Sequence, residues 1–408
     1  MAPRAWHDFA QRQVSVQEAR ILTAGNASVR GGRDVVGNGR LGRLARVLSE
    51  APDVSPHRPN QLSWWLFGVA VLVFAMVVIG GATRLTQSGL SMVHWEPVSG
   101  SVPPLSEGDW QAEFDAYRQT PEFRLVNREM DLSEFKGIFW WEYSHRVLGR
   151  IVGMALALPF FWYLFRRAIP PGYGPRIALL VALVGLQGFI GWWMVTSGLV
   201  DRPDVAHERL ALHLVTALLL LAALVWTALD LRALAQGRTK VEGRPSRWVA
   251  PFFVLLSVQI VLGAFVAGLD AGRIYNTWPA MNGQWVPREV DRLSPVWSNA
   301  VDNPVTVQFL HRWLAVVVAA SAMAVAARLF FAGARGIAFA LEMVVLAQFV
   351  LGIITLVNAV PVGLGIAHQA VGALTLVVAV VAAHWSTGGA RAQPGREPSP
   401  VAEPAVSV

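Results

Sequence analysis

Eight stretches of this chain are apolar over nearly the length that crosses a bilayer: residues 62–81, 137–165, 177–197, 210–229, 248–269, 305–331, 337–357 and 363–385. About 20 residues of helix cross the hydrocarbon core. Lipid offers no partner for a free backbone N–H or C=O, so each stretch is confined to a helix. That confines the chain to an all-α polytopic membrane protein with eight transmembrane helices. Composition agrees, with 54% apolar and 15% charged residues, well away from the soluble norm.

The net charge of +7 follows span ends rather than a nucleic-acid surface. Arg166, Arg167 and Arg176 lie between spans two and three, and Arg232, Arg238, Lys240, Arg244 and Arg247 follow span four. Arg328 and Arg335 follow span six, Arg391 and Arg396 follow span eight, and the N-terminal segment carries more. The loop 82–136 instead holds more acids than bases. By the positive-inside rule both termini are expected in the cytoplasm and the long loop outside. The first span begins too late and runs too long for a cleaved signal peptide. Residues 1–61 read as a disordered basic cytoplasmic tail and 386–408 as a second disordered tail.

Histidines bring chemistry into this bundle. Two fall in identical dipeptides, His145-Arg146 and His311-Arg312; the other two, His213 and His368, open the span that follows each dyad by two. An ionisable side chain inside a span is costly and normally has a partner or ligand. One pattern used twice points to two bis-histidine sites, for which haem is the natural occupant. The chain has no cysteine, which excludes disulfides, iron–sulfur clusters, thiolate-ligated haem and covalent c-type attachment. Histidine ligation remains. Spans three, five and seven each carry Gln-x-x-x-Gly, at Gln187/Gly191, Gln259/Gly263 and Gln348/Gly352. Glycine allows close approach of helices or a flat ligand, and Gln bonds across helices. One turn after each histidine stands a small residue: Gly149, Ala217, Ala315 or Gly372. Spans 1–4 and 5–8 therefore read as parallel repeats of a four-helix bundle. The halves cover 62–229 and 248–385, joined by a cytoplasmic linker at 230–247. His7, His57, His94, His207 and His384 are expected to be peripheral.

Glu142 lies three residues before His145, on the same helical face, whereas the second half has Gln308 and Phe309 there. This acid is either a general base beside one reactive site or the partner of Arg146 or Arg84. Arg146 and Arg312 stand at the outer boundary, where they would pair haem propionates or snorkel to the interface.

The stretches GGATRLTQSGLSM, EFKGIFWWEYSHRVLGR, GWWMVTSGL, GLDAGRIYNTWPAMNG, FLHRWLA and IAHQAVGALTL, in that order across residues 62–385, resemble the haem A synthase family, in the branch shared by mitochondria and alphaproteobacteria. Some members carry a cysteine pair in the first outer loop; this chain has none, as in the branch it resembles. The resemblance implies oxidation of the C8 methyl of haem O to a formyl group, giving haem A for cytochrome c oxidase. It implies that His145 and His213 serve the substrate haem, that His311 and His368 ligate a haem b, and that Glu142 is the acid beside the reactive haem. Arg84, Arg146 and Arg312 complete the expected cofactor contacts. Expected partners are haem O, membrane lipid, a haem O synthase and an electron donor, with a homo-oligomer open and no nucleic acid. The expected location is a bacterial inner membrane, or the mitochondrial inner membrane in a eukaryote. Two rival readings are a di-haem b-type electron-transfer cytochrome, which leaves Glu142 without a task, and a transporter or haem-handling protein.

Overall fold

The computed structural model describes residues 57–94, 100, 102–200, 202–237 and 248–389. Most of the N-terminal tail, residues 238–247 of the linker, and the C-terminal tail from residue 390 lie outside the described residues. Eight helices are long and apolar enough to cross a membrane. They are α1 (Pro59–Leu85), α4 (Leu132–Phe165), α5 (Gly174–Thr196), α6 (His207–Ala235), α7 (Ala250–Gly268), α9 (Pro304–Phe331), α10 (Arg335–Val357) and α11 (Val362–His384). Shorter helices α2 (Glu107–Tyr117), α3 (Pro121–Leu125) and α8 (Asn299–Asp302) belong to the two long loops. The described residues contain no β-sheet.

Packing follows chain order within each half: α1 on α4, α4 on α5, α5 on α6 and α6 on α1, then α7 on α9, α9 on α10 and α10 on α11. The halves meet where α6 packs on α7, α11 packs on α1, and α6 touches α11. Small side chains let helix backbones approach within the bundle. Ala228, Ala322 and Ala379 are fully buried, and Ser63 donates 2.8 Å to the carbonyl of Ala228. At the end of the bundle away from the long loops, Asp230 of α6 accepts from Arg176 of α5 at 2.5 Å and from His384 of α11 at 2.8 Å. His384 is therefore a structural partner, and one carboxylate ties three helices.

The first long loop has a core of its own. Its helices start on firm signals: Ser106 and Asp109 form a capping box for α2, and Asp131 and Glu134 form one for α4. With 34 residues, α4 is about 51 Å long at 1.5 Å per residue. It therefore extends beyond a ~30 Å hydrocarbon core. Met92, Trp110, Phe114, Tyr117, Phe135 and Phe139 bury one another against its N-terminal end.

Within this aromatic cap sits an unexpected acid. Glu122 is only 5% exposed, and its Oε2 has no hydrogen-bond partner. Burial pushes its carboxyl up from the usual 4.5 to about 8. The nearby carboxylates of Glu142 and Asp204 add to that, while the Tyr117 hydroxyl and the Arg84 charge oppose it. Between pH 4.5 and 8 the folded cap thus keeps a proton that the unfolded chain has lost. This contribution to stability is fullest below that window, falls as pH rises through it, and levels off above about 8. Glu122→Gln should abolish the slope. Limited proteolysis of the loop across pH 5–9 checks it, and an unchanged slope in the variant would assign the effect elsewhere.

Candidate functional site

The four histidines of the repeated pattern all point into the bundle, each from an even-numbered span: His145 on α4, His213 on α6, His311 on α9 and His368 on α11. Each imidazole rests on a glycine of the preceding long helix. A Cβ added to Gly80 would stand 3.0 Å from Cε1 of His145, and one on Gly191 would stand 2.9 Å from that of His213. On Gly263 and Gly352 the distances to His311 and His368 are 3.0 and 2.9 Å. At such distances a Cβ would force the ring or the helix to shift, so at these four positions the ring closes off the space a side chain would need. His145 lies within electrostatic range of His213, and His311 within that of His368. The two histidine pairs are thus assembled within halves, not across them.

The Gln-x-x-x-Gly elements join the same sites. The amide nitrogen of Gln187 lies 3.1 Å from Nδ1 of His213 and that of Gln259 lies 3.1 Å from Nδ1 of His311. Gln348 reaches Nε2 of His368 at 3.3 Å. The buried Oε1 atoms of Gln187, Gln259 and Gln348 have no hydrogen-bond partner, nor do Nδ1 of His145 and His368. Buried polar atoms are rarely left so. A metal taking one ring nitrogen would oblige the other to carry a proton, and a half-turn of the Gln348 amide would bring its free oxygen to the His368 ring. Gln187 and Gln259 also donate to the backbone carbonyls of His213 and His311 at 2.9 and 3.0 Å, bonds that such a turn would give up. Paired imidazoles, three of them with a glutamine at the ring, suit a bis-histidine haem.

The arginines of the two dyads turn the other way, towards the long loops. Arg146 donates to the carbonyls of Met92 at 2.8 Å and His94 at 3.1 Å. Arg312, 5% exposed, donates to Thr277 at 2.7 Å and also to Tyr275. Arg84 pairs with Asp270 at 3.0 Å, linking the C-terminal end of α1 to the turn after α7. Of the two partners expected for Glu142, the structure selects Arg146. Oε1 accepts from Arg146 at 2.6 and 3.1 Å, and Oε2 accepts from Ser91 Oγ at 2.7 Å and from the Met92 N–H at 2.8 Å. Gln308 holds the equivalent place before His311 and donates 3.1 Å to Tyr275. Both long loops are therefore pinned by an Arg and by the residue three before the histidine, with a carboxylate in one half and an amide in the other.

His94 is exposed. His207 is not peripheral: its side chain is 13% exposed, lies between Glu208 and Asp302, and meets Phe265 edge-on. His207 and Glu208 come from α6 and Asp302 from α8, so the cluster joins the two halves.

The chain matches the COX15-CtaA model, described as cytochrome oxidase assembly protein, over residues 63–380. It is 50% identical to the heme A synthase of Sphingopyxis alaskensis, with 83% of this chain and 95% of that protein covered. With the heme A synthase of Rhizorhabdus wittichii it shares 47% identity over 84% of this chain and 97% of that one. For Rhodospirillum centenum the values are 48%, 81% and 90%. The chain belongs to the haem A synthase family.

In this haem A synthase family member, the histidine–glycine contacts offer a direct test. Gly191→Ala puts a methyl 2.9 Å from the His213 ring, so ring or helix must shift, at an overpacking cost of about 1–3 kcal/mol. Gly185, on the same helix, has nothing within 4 Å of its Cβ position. We expect Gly191→Ala to melt earlier and bind less haem, and Gly185→Ala to match the parent in both. Equal behaviour of the two variants would mean that the glycine does not set the ring.

Proposed function

We propose that this membrane enzyme oxidises the C8 methyl of haem O to a formyl group, with the two histidine pairs in different roles. His145 and His213 hold the substrate haem O and release it as haem A. His311 and His368 ligate a haem b that supplies the redox chemistry of electron delivery. The observation that carries the division is the asymmetry beside the dyads: a buried carboxylate, Glu142, in the first half and an amide, Gln308, in the second. A substrate site that develops positive charge at a methyl group gains from a fixed anion, and an electron-transfer site has no such need. Four hydrogen bonds hold the Glu142 carboxylate in place, so it acts first as an oriented charge. To accept a proton it must surrender one of those bonds. Arg84, Arg146 and Arg312 add positive charge on the side where propionates would lie. A haem O synthase would supply the substrate. Turning the methyl into a formyl group removes four electrons and brings in one oxygen atom, so the reaction needs either water and an electron acceptor reached through the haem b, or dioxygen as oxidant and a separate electron donor.

Bound haems, extracted and weighed from purified protein, should include haem b together with haem O or haem A. His311→Ala or His368→Ala should remove the haem b alone. Haem b as the sole species in the parent protein would instead make this an electron-transfer cytochrome. Glu142→Gln should retain haem O yet yield little haem A. Because the new amide N–H₂ opposes a donor at Arg146 or at Ser91 and Met92, protease resistance of the first loop must be measured beside it. Wild-type turnover would reduce Glu142 to a loop anchor.

We assign both termini to the cytoplasm of a bacterial inner membrane and the long loops to the outside, from the basic segments that follow even spans. Alkaline phosphatase fused after residue 120 should be active, and a fusion after residue 240 inactive. The opposite pattern would place both dyads on the cytoplasmic side.

A further inference from the structure

Three of the four histidines have a glutamine beside the ring; the fourth does not. The glutamines stand four residues before the glycine on which the ring rests: Gln187 before Gly191, Gln259 before Gly263, and Gln348 before Gly352. In α1 the glycine is Gly80, and four residues before it stands Met76. The replacement is geometric as well as sequential. Gln348 ends against Gly372, one turn after His368, with its amide nitrogen 3.2 Å from the Cβ position there. Met76 ends against Gly149, one turn after His145, with its Cε 3.3 Å from that Cβ position. Side chain, glycine, histidine and following glycine thus correspond in the two sites. A thioether takes the place of the hydrogen-bonding group in the first, which leaves His145 with no glutamine at its ring among the described residues. Gln348, by contrast, meets Nε2 of His368 at 3.3 Å. Nδ1 is buried without a partner in both rings.

A histidine that ligates a metal normally donates its other N–H to an acceptor. That bond fixes the ring and raises its basicity, and losing it typically weakens metal binding by about 10- to 100-fold. A thioether is only a weak acceptor. From this we infer that Met76 makes His145 the weakest of the four ligands, so that the first-half site exchanges its haem while the second-half site keeps its own. The inference rests on the proposed function and deepens it: a site that takes in haem O and gives up haem A needs a ligand that lets go. His213, opposite, keeps its Gln187 contact and stays the fixed ligand. Met76 is in this sense a positioning residue that acts through what it does not offer.

Gln is close to Met in length, so Met76→Gln restores the missing group with little change in volume. Haem transfer from the purified holoprotein to excess apomyoglobin reads the exchange, with the haem types separated afterwards. Met76→Gln should slow loss of the first-half haem at least about tenfold, lower its reduction potential, and leave the haem b unmoved. Met76→Leu, which also lacks an acceptor, should release haem at the parental rate. The reciprocal Gln348→Met should speed loss of haem b by a similar factor. Unchanged release and potential in Met76→Gln, with haem b intact, would overturn the inference. If that variant does not assemble, Gln348→Met decides, and unchanged haem b retention refutes it. A parent protein holding only haem b sinks the proposed function instead, an outcome visible before any Met76 variant is made.

Discussion

The contact on which this bundle depends is an imidazole lying against a bare helix backbone. A histidine in lipid must be kept from the hydrocarbon and also held at a fixed angle. Here one device does both. The ring sits on a glycine of the neighbouring helix, where a Cβ would come within 2.9–3.0 Å, so each long-helix pair that meets at such a contact is drawn to close range and fixed in rotation. The same contact occurs on α1 with α4, α5 with α6, α7 with α9, and α10 with α11. Helix packing and histidine placement are therefore one constraint, and the bundle cannot drift without moving its histidines.

The dyads couple that interior to the long loops. From one turn of helix the histidine enters the bundle and the following arginine leaves it, to bind carbonyls of the loop above. Those carbonyls lie in loop segments without regular partners, and a buried arginine satisfies several at once. In the first half the arginine is also paired with Glu142, which in turn holds Ser91 and Met92. Anything that displaces this loop therefore disturbs the turn that carries His145. The aromatic cap around Tyr117 and Phe135 resists such displacement, and Glu122 makes its resistance depend on pH.

Much of this was legible in the residues. Eight apolar stretches give eight long helices, because backbone satisfaction in lipid leaves no alternative. Their edges move where polarity hides helix: α4 begins at Leu132 and not near 137, since its first turn is polar and capped outside the lipid, and α6 runs from His207 to Ala235 and not 210–229. The Gln-x-x-x-Gly elements pointed to the right three glycines. Gly80 escaped because Met76 breaks the pattern, and aligning the four odd spans on their glycines would have exposed it. Glu122 was illegible, since a Pro-Glu-Phe-Arg turn in a polar loop gives no sign of burial. Nor do the residues reveal that Arg146 and Arg312 spend their donors on loop carbonyls, a matter of tertiary path alone.

The adjacent Gly80 and Gly81 show why the first span could not simply copy the others. Successive helical residues are turned by about 100°, so two glycines in a row open two faces. Gly80 receives the ring of His145 from α4, and Gly81 receives Gln369 of α11, whose Oε1 would lie 2.7 Å from a Cβ there. Gln369 also donates 2.6 Å to the carbonyl of Val77, and it follows His368 directly in the chain. Through two residues of α1, then, a histidine of the first pair and the neighbour of a histidine of the second touch the same turn of backbone. The separation of the two sites is set there by contact rather than by a flexible connection. Alanine at Gly81 would push α11 from α1 and shift His368, whereas alanine at Gly80 would act on His145, so one helical turn governs both pairs through different faces.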